Sequence, residues 1–142
     1  MSLLAIIIPA LKYSEQLRQC LLSLRRASCT WEREILVILN RAAHQEEDSL
    51  AEEEFPEVRF IVAGKNLGFS GGVNLGLRSV TAELYLLLND DVELFSDSLS
   101  SLVQAFEKDP EIVVGGAKIY DPDGKTLQHC GGILRKNKLS SH

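Results

Sequence analysis

Four short apolar runs, separated by stretches of helical character, most limit what this chain can fold into. They are residues 3–8, 34–39, 58–62 and 84–88. Each has the length of a strand. The run at 84–88 is almost unbroken, as suits a strand buried on both faces of a parallel sheet. Strands that alternate with helices imply a parallel sheet with right-handed crossovers. The expected fold class is therefore α/β, with a Rossmann-like, mixed but mainly parallel sheet flanked by helices.

The helices have their own signals. Ser14 suits an N-cap, Glu15 suits the first turn, and Leu17, Leu21 and Leu24 form a stripe with Cys20 beside it. Pro9 is expected to end the first strand. Residues 45–54 carry a run of acids and read as a short surface helix, because charge runs are usually solvated faces. Phe55-Pro56 should stop it. A helix over 96–108 places Leu99, Leu102, Val103 and Phe106 on one face and closes at Asp109-Pro110. Residues 112–114 and 117–120 look like further strand material. Asp121-Pro122-Asp123-Gly124 is a turn signal, and 128–134 a returning strand, which would make the sheet mixed. The polar tail, 135–142, is expected to fray.

A chain of 142 residues is one domain, long enough to bury a core. Its net charge of −5 argues against nucleic acid as a partner. Cys20, Cys29 and Cys130 are odd in number and form no Cys-x-x-Cys, which points to a reducing compartment, the cytoplasm. The run at 3–8 is too short to span a membrane. His44 and His142 are expected to be exposed, and His129 packed or at the surface.

Two constellations carry chemistry. The run at 84–88 ends in Asn89, Asp90 and Asp91. Adjacent carboxylates at the end of a buried strand cost free energy unless something neutralises them. Hard oxygen ligands select Mg2+ or Mn2+. In open α/β sheets, ligands sit at the carboxyl ends of the strands. The alternative is an acidic strand-to-helix turn, with Ser96 and Asp97 capping the next helix. The second constellation is the glycine-rich segment 64–72, which opens a helix. Backbone amides at a helix start bind anions, and glycines let a phosphate approach. Alternatively, Gly68, Gly71, Gly72 and Gly76 permit tight helix–sheet packing. The segment is neither a P-loop nor Gly-x-Gly-x-x-Gly. Together the two suggest a metal-bridged diphosphate, and a diphosphate leaving group suits nucleotide-sugar chemistry.

In this order and spacing, four stretches resemble the nucleotide-binding N-terminal portion of a family 2 glycosyltransferase of the GT-A fold, rhamnosyltransferase-like branch. They are Ile6-Ile7-Ile8-Pro9, the strand ending Leu39-Asn40, the segment Asn66-Leu67-Gly68-Phe69-Ser70-Gly71-Gly72-Val73-Asn74, and Leu88-Asn89-Asp90-Asp91. The resemblance implies sugar transfer, metal-assisted and inverting, from a dTDP- or UDP-linked donor to a glycan or lipid-linked acceptor. It assigns Asp91 and Asn89 to a Mn2+ or Mg2+ site. It assigns Asp90, Asn66, Gly68, Gly72 and Asn74 to donor binding, with Pro9 and Asn40 bordering the base. Two positions depart from the family. Leu39 stands where an Asp is usual, and Pro9-Ala10-Leu11-Lys12 replaces a Thr-Tyr-Asn-like run; Tyr13 or Asn40 would partly substitute.

The general base of such enzymes comes from beyond the metal motif, and no residue here matches it. Residues 1–142 are thus expected to be the nucleotide-sugar-binding portion of a GT-A domain without its acceptor and catalytic-base part. The alternative is a non-catalytic nucleotide-sugar-binding or interaction module. A sheet surface left uncovered in this way is one through which two copies can form a homodimer. The full-length enzyme is expected to be cytoplasmic, with peripheral association at the inner membrane face.

Overall fold

The structure, a computed structural model, describes residues 3–130. It divides into two compact units, Met1–Val103 and Gln104–His142. The first holds the strands β1 (Leu3–Ala10), β2 (Glu32–Leu39), β3 (Val58–Val62) and β4 (Leu84–Leu87). Between them run α1 (Glu15–Arg26), α2 (Glu46–Glu54) and α3 (Gly68–Ser79), and α4 (Ser98–Lys108) follows.

All four strands are parallel, in the order β3-β2-β1-β4. Right-handed crossovers from β1 to β2 to β3 put their helices on one face. The return from β3 to β4 puts α3 on the other. The packing follows this division. Leu17, Cys20, Leu21 and Leu24 of α1 join Leu4, Ile6, Ile8, Val37 and Leu39, with Phe55, Leu99 and Val103. On the opposite face Leu75, Leu77 and Val80 cover Ile7, Leu36 and Ile38. Each fully buried Leu or Ile contributes about 1.5–3 kcal/mol. As expected, Ser14 caps α1, its hydroxyl accepting from Leu17 N.

Glycine brings α3 close to the sheet. A β-carbon at Gly76 would lie 2.5 Å from Ile7 Cγ2. Ile7 is fully buried and β-branched, so it has little room to yield. Overpacking costs about 1–3 kcal/mol, and alanine recovers up to about 1 kcal/mol of helix propensity. Gly76→Ala should therefore lower stability by about 1–2 kcal/mol. Urea unfolding checks this; an unchanged midpoint would show that α3 shifts freely.

Several expectations need correction. Pro9 does not end β1; it pairs with Ile38 of β2 inside the strand. Ile7 O accepts from Leu88 N, so residues 7 and 9 direct their backbone groups toward the β4 side, while Ala10 O turns to β2 and accepts from Asn40 N. The β4 pairing stops at Ile7–Leu87. The N–H that proline lacks therefore falls where no strand needs it.

The run at 84–88 is not buried on both faces. Among the described residues β4 is an edge strand, with Tyr85 40% and Leu87 49% exposed. The acidic helix α2 is not all solvated surface, for Asp48 and Ala51 are fully buried. The glycines at 71, 72 and 76 lie within α3, since the helix starts at Gly68.

In the second unit, β5 (Ile119–Tyr120) and β6 (Leu127–His129) form their own antiparallel pair, so among the described residues the main sheet is parallel throughout. The turn before β6 is as expected. Gly124 has φ +68°, and Asp123 accepts from the backbone amides of Lys125 and Thr126, both at 2.8 Å. The Thr126 hydroxyl, and then these two amides, hold its carboxyl below the usual range. Residues 112–114 form no strand; Val113 and Val114 are exposed. The expected strand at 128–134 is seen to His129, and residues 131–142 lie outside the described ones.

Candidate functional site

The strand order reverses between β1 and β4. Chains leaving the two carboxyl ends diverge there, and such a switch point opens a crevice that α/β folds use for ligands. The last rung is Leu88 N to Ile7 O, 3.0 Å. Asn89, Asp90 and Asp91 come directly after it.

Asp90 is half-buried and Asp91 exposed. Burial, and then the neighbouring charge of Asp91, raise the Asp90 carboxyl above its ordinary range. Asp91 shares a shallow cleft with Glu15, Gln16 and Gln19 of α1 and with Glu93. Among the described residues no cluster of three or more His, Cys, Asp or Glu side chains could hold a metal. The assigned set is the Asp91 carboxylate and the Asn89 amide oxygen, with Asp90 between them in sequence. It fits a Mg2+ or Mn2+ ion that completes its shell with water and substrate phosphate oxygens, as Mg2+ commonly does.

On the far side of β1, the end of β2 organises the glycine segment. Asn40 is only 5% exposed. Its Oδ1 accepts from Leu67 N at 2.7 Å, and its Nδ2 donates to Gly68 O at 2.8 Å. Both ends of the amide thus hold the start of α3. Asn66 Oδ1 accepts from Gly68 N at 2.9 Å, and Gly68 takes φ +71°, a conformation glycine adopts without strain. A β-carbon at Gly72 would lie 3.5 Å from Asn40 Nδ2 and 3.6 Å from Pro9 Cβ. Pro9, Asn40, Gly68 and Gly72 are therefore brought together, with Asn66 beside them. Asn74 is exposed further along α3. Leu39 is fully buried in the core, and the Tyr13 hydroxyl donates to Glu54 at 2.8 Å.

One buried ion pair was not foreseen. The Arg41 guanidinium grips both carboxylate oxygens of Asp48, donates to Ala43 O, and reaches Leu11 O through Nε at 3.0 Å. Asp48 also accepts from Gln45 N at 2.9 Å. Arg41 so ties the loops after β1 and β2 to the start of α2. The available signal was an acid three residues after Gln45, the spacing of a capping box.

Cys20 is fully buried beneath the carboxylate turn. Burial, then Asp90, Asp91 and Glu93, push its thiol up to about 12. Cys130 is exposed. In the folded chain at pH 8, iodoacetamide should modify Cys130 and leave Cys20 intact, since the thiolate is the nucleophile. Peptide mass spectrometry checks this, and ready labelling of Cys20 would contradict the packing.

The profile of Glycosyl transferase family 2 matches residues 5–140. The chain belongs to glycosyl transferase family 2. An uncharacterized protein, y4gI, of Sinorhizobium fredii is 28% identical over 145 residues. That match covers 99% of this chain and 16% of y4gI. Among solved structures, Staphylococcus aureus TarS superposes with a TM-score of 0.64 at 18% identity, over 76% of this chain and 20% of TarS. TarS 1–349 in complex with UDP gives 0.64 at 17% identity, covering 76% and 32%. At such identities the likeness establishes the fold, a GT-A-like α/β architecture. The chain spans about a sixth of y4gI and a fifth to a third of the TarS chains.

Proposed function

We propose that this chain is the donor-binding portion of a metal-assisted, inverting glycosyltransferase. Its substrate is a UDP- or dTDP-linked sugar, and its acceptor a glycan or lipid-linked molecule. The observation that carries the reading is the carboxylate pair Asp90–Asp91 at the switch point, across β1 from a glycine helix start. One edge of the crevice offers hard oxygen ligands, and the other offers backbone amides and space.

Asp91 and Asn89 would hold Mn2+ or Mg2+, and Asp90 would lie near the ribose or diphosphate. A divalent cation there supplies Lewis-acid stabilisation of the departing diphosphate. Asn40 keeps the start of α3 in place, Gly68 leaves open space there, and Gly72 seats the helix against Asn40 and Pro9. Asn66 and Asn74 shape the donor pocket, and Pro9 borders the base. The acceptor hydroxyl must be deprotonated by a general base, which we assign to a part of the enzyme outside residues 1–142. Among the described residues no helix is long and apolar enough to cross a membrane. We place the enzyme in the cytoplasm, at the inner membrane face when its acceptor is lipid-linked.

Titration calorimetry with UDP and dTDP, with and without Mn2+, tests this. Metal-dependent binding of either nucleotide is expected, and binding of neither would sink the proposal. A second reading is a non-catalytic nucleotide-sugar module. Leu39 favours it, since its burial leaves no carboxylate at the end of β2 to meet a base. Donor binding without donor hydrolysis or transfer by the full-length protein would select it.

A further inference from the structure

The turn that bears Asp90 and Asp91 is gripped from beneath by one face of α1. Cys20 and Ser23, three apart and therefore neighbours on the helix, reach its two flanks. The Cys20 thiol lies 3.8 Å from Asn89 O and directs its weak donor there. Ser23 is 1% exposed. Its hydroxyl donates to Cys20 O at 2.7 Å and accepts from Leu94 N at 3.0 Å. Donor and acceptor are both committed, so the hydroxyl cannot rotate away without leaving Leu94 N unpaired. Further on, Ser28 N and Oγ both donate to Ser96 O, at 2.7 and 2.9 Å.

The turn is thus held at residues 89 and 94 by α1 and at residue 96 by Ser28, two residues beyond it. The face of α1 that bears Cys20 and Ser23 is anchored in the core, with Leu17, Leu21 and Leu24 buried beside them. A metal site tolerates little displacement of its ligands, and the groups that orient those ligands matter almost as much as the ligands do.

We propose that Ser23, assisted by Cys20, is a positioning residue that sets where Asp90 and Asp91 present their carboxylates. This rests on the donor-site reading above. The test compares Ser23→Ala and Cys20→Ala with the unaltered chain in two measurements. The first is amide hydrogen exchange resolved by residue, which needs no ligand. Leu94 and its neighbours should exchange faster in Ser23→Ala, while the amides of Ile6 and Val37 keep their protection. The second is UDP affinity with Mn2+. It should weaken roughly 10-fold in Ser23→Ala, while UDP affinity measured in EDTA stays the same. Cys20→Ser, which keeps a donor toward Asn89 O, should bind Mn2+ and UDP better than Cys20→Ala.

Unchanged exchange at Leu94 would overturn the proposal, as would faster exchange with undiminished metal-dependent affinity. Failure of the unaltered chain to bind nucleotide with Mn2+ would remove the donor-site reading instead. The exchange pattern would then still decide whether Ser23 fixes the turn.

Discussion

Replacing Arg41 with alanine is expected to destabilise the first unit by about 3–5 kcal/mol, the cost of stranding a buried charge. Asp48 has no exposed side-chain surface and Arg41 has 13%, so water cannot take over the lost partner. The change also frees Leu11 O and Ala43 O, each a point where a loop is tied down. Set against a typical domain stability of about 5–15 kcal/mol, this is a large fraction. Arg41→Ala,Asp48→Leu should recover much of the loss, because removing both charges leaves no orphan. Denaturant unfolding of both variants checks the pair. A single mutant within about 1 kcal/mol of the parent would show that the pair behaves like an exposed one.

Asp91→Ala is expected to weaken Mn2+-dependent UDP binding at least ~100-fold, about 2.7 kcal/mol. Asp91 is the one carboxylate assigned to the metal, so its loss removes the charge that holds the ion. Asp91→Asn should be nearly as damaging, because it keeps the shape and discards the charge. Asp91 is exposed, so neither variant should disturb folding. Calorimetry with and without EDTA separates the metal-dependent part. Equal affinities in parent and variant would move the metal away from this turn.

The alternation of strands and helices was readable because each element carried its own period and its own caps. The α1 stripe at Leu17, Leu21 and Leu24 lies in the core, and Ser14 caps the helix. The position of the carboxylates in a turn just after β4 was readable as well, since an apolar run stops at Asn-Asp-Asp. What stayed hidden depended on contacts that no helix or strand period encodes. Arg41 and Asp48 look like surface charges until the loop folds them onto each other. Ser23 looks like a neutral helix residue until Leu94 arrives above it. β4 reads as a central strand because its residues are apolar; only the strand order puts it at an edge. Residues 112–114 have strand-like side chains, but no neighbouring strand pairs with them among the described residues.

Pro9 has a wider consequence. A parallel sheet grows by zipping, each new rung made easier by the one before it. Past Ile7, the next amide that β1 could offer on the β4 side would belong to residue 9, and a pyrrolidine ring has none to offer. Drawing β4 further along β1 would forfeit that rung. The residues after Leu88 leave the sheet instead, and they leave it carrying two acids. One imino acid, by withholding a single hydrogen, keeps the mouth between the two strands from being sewn shut.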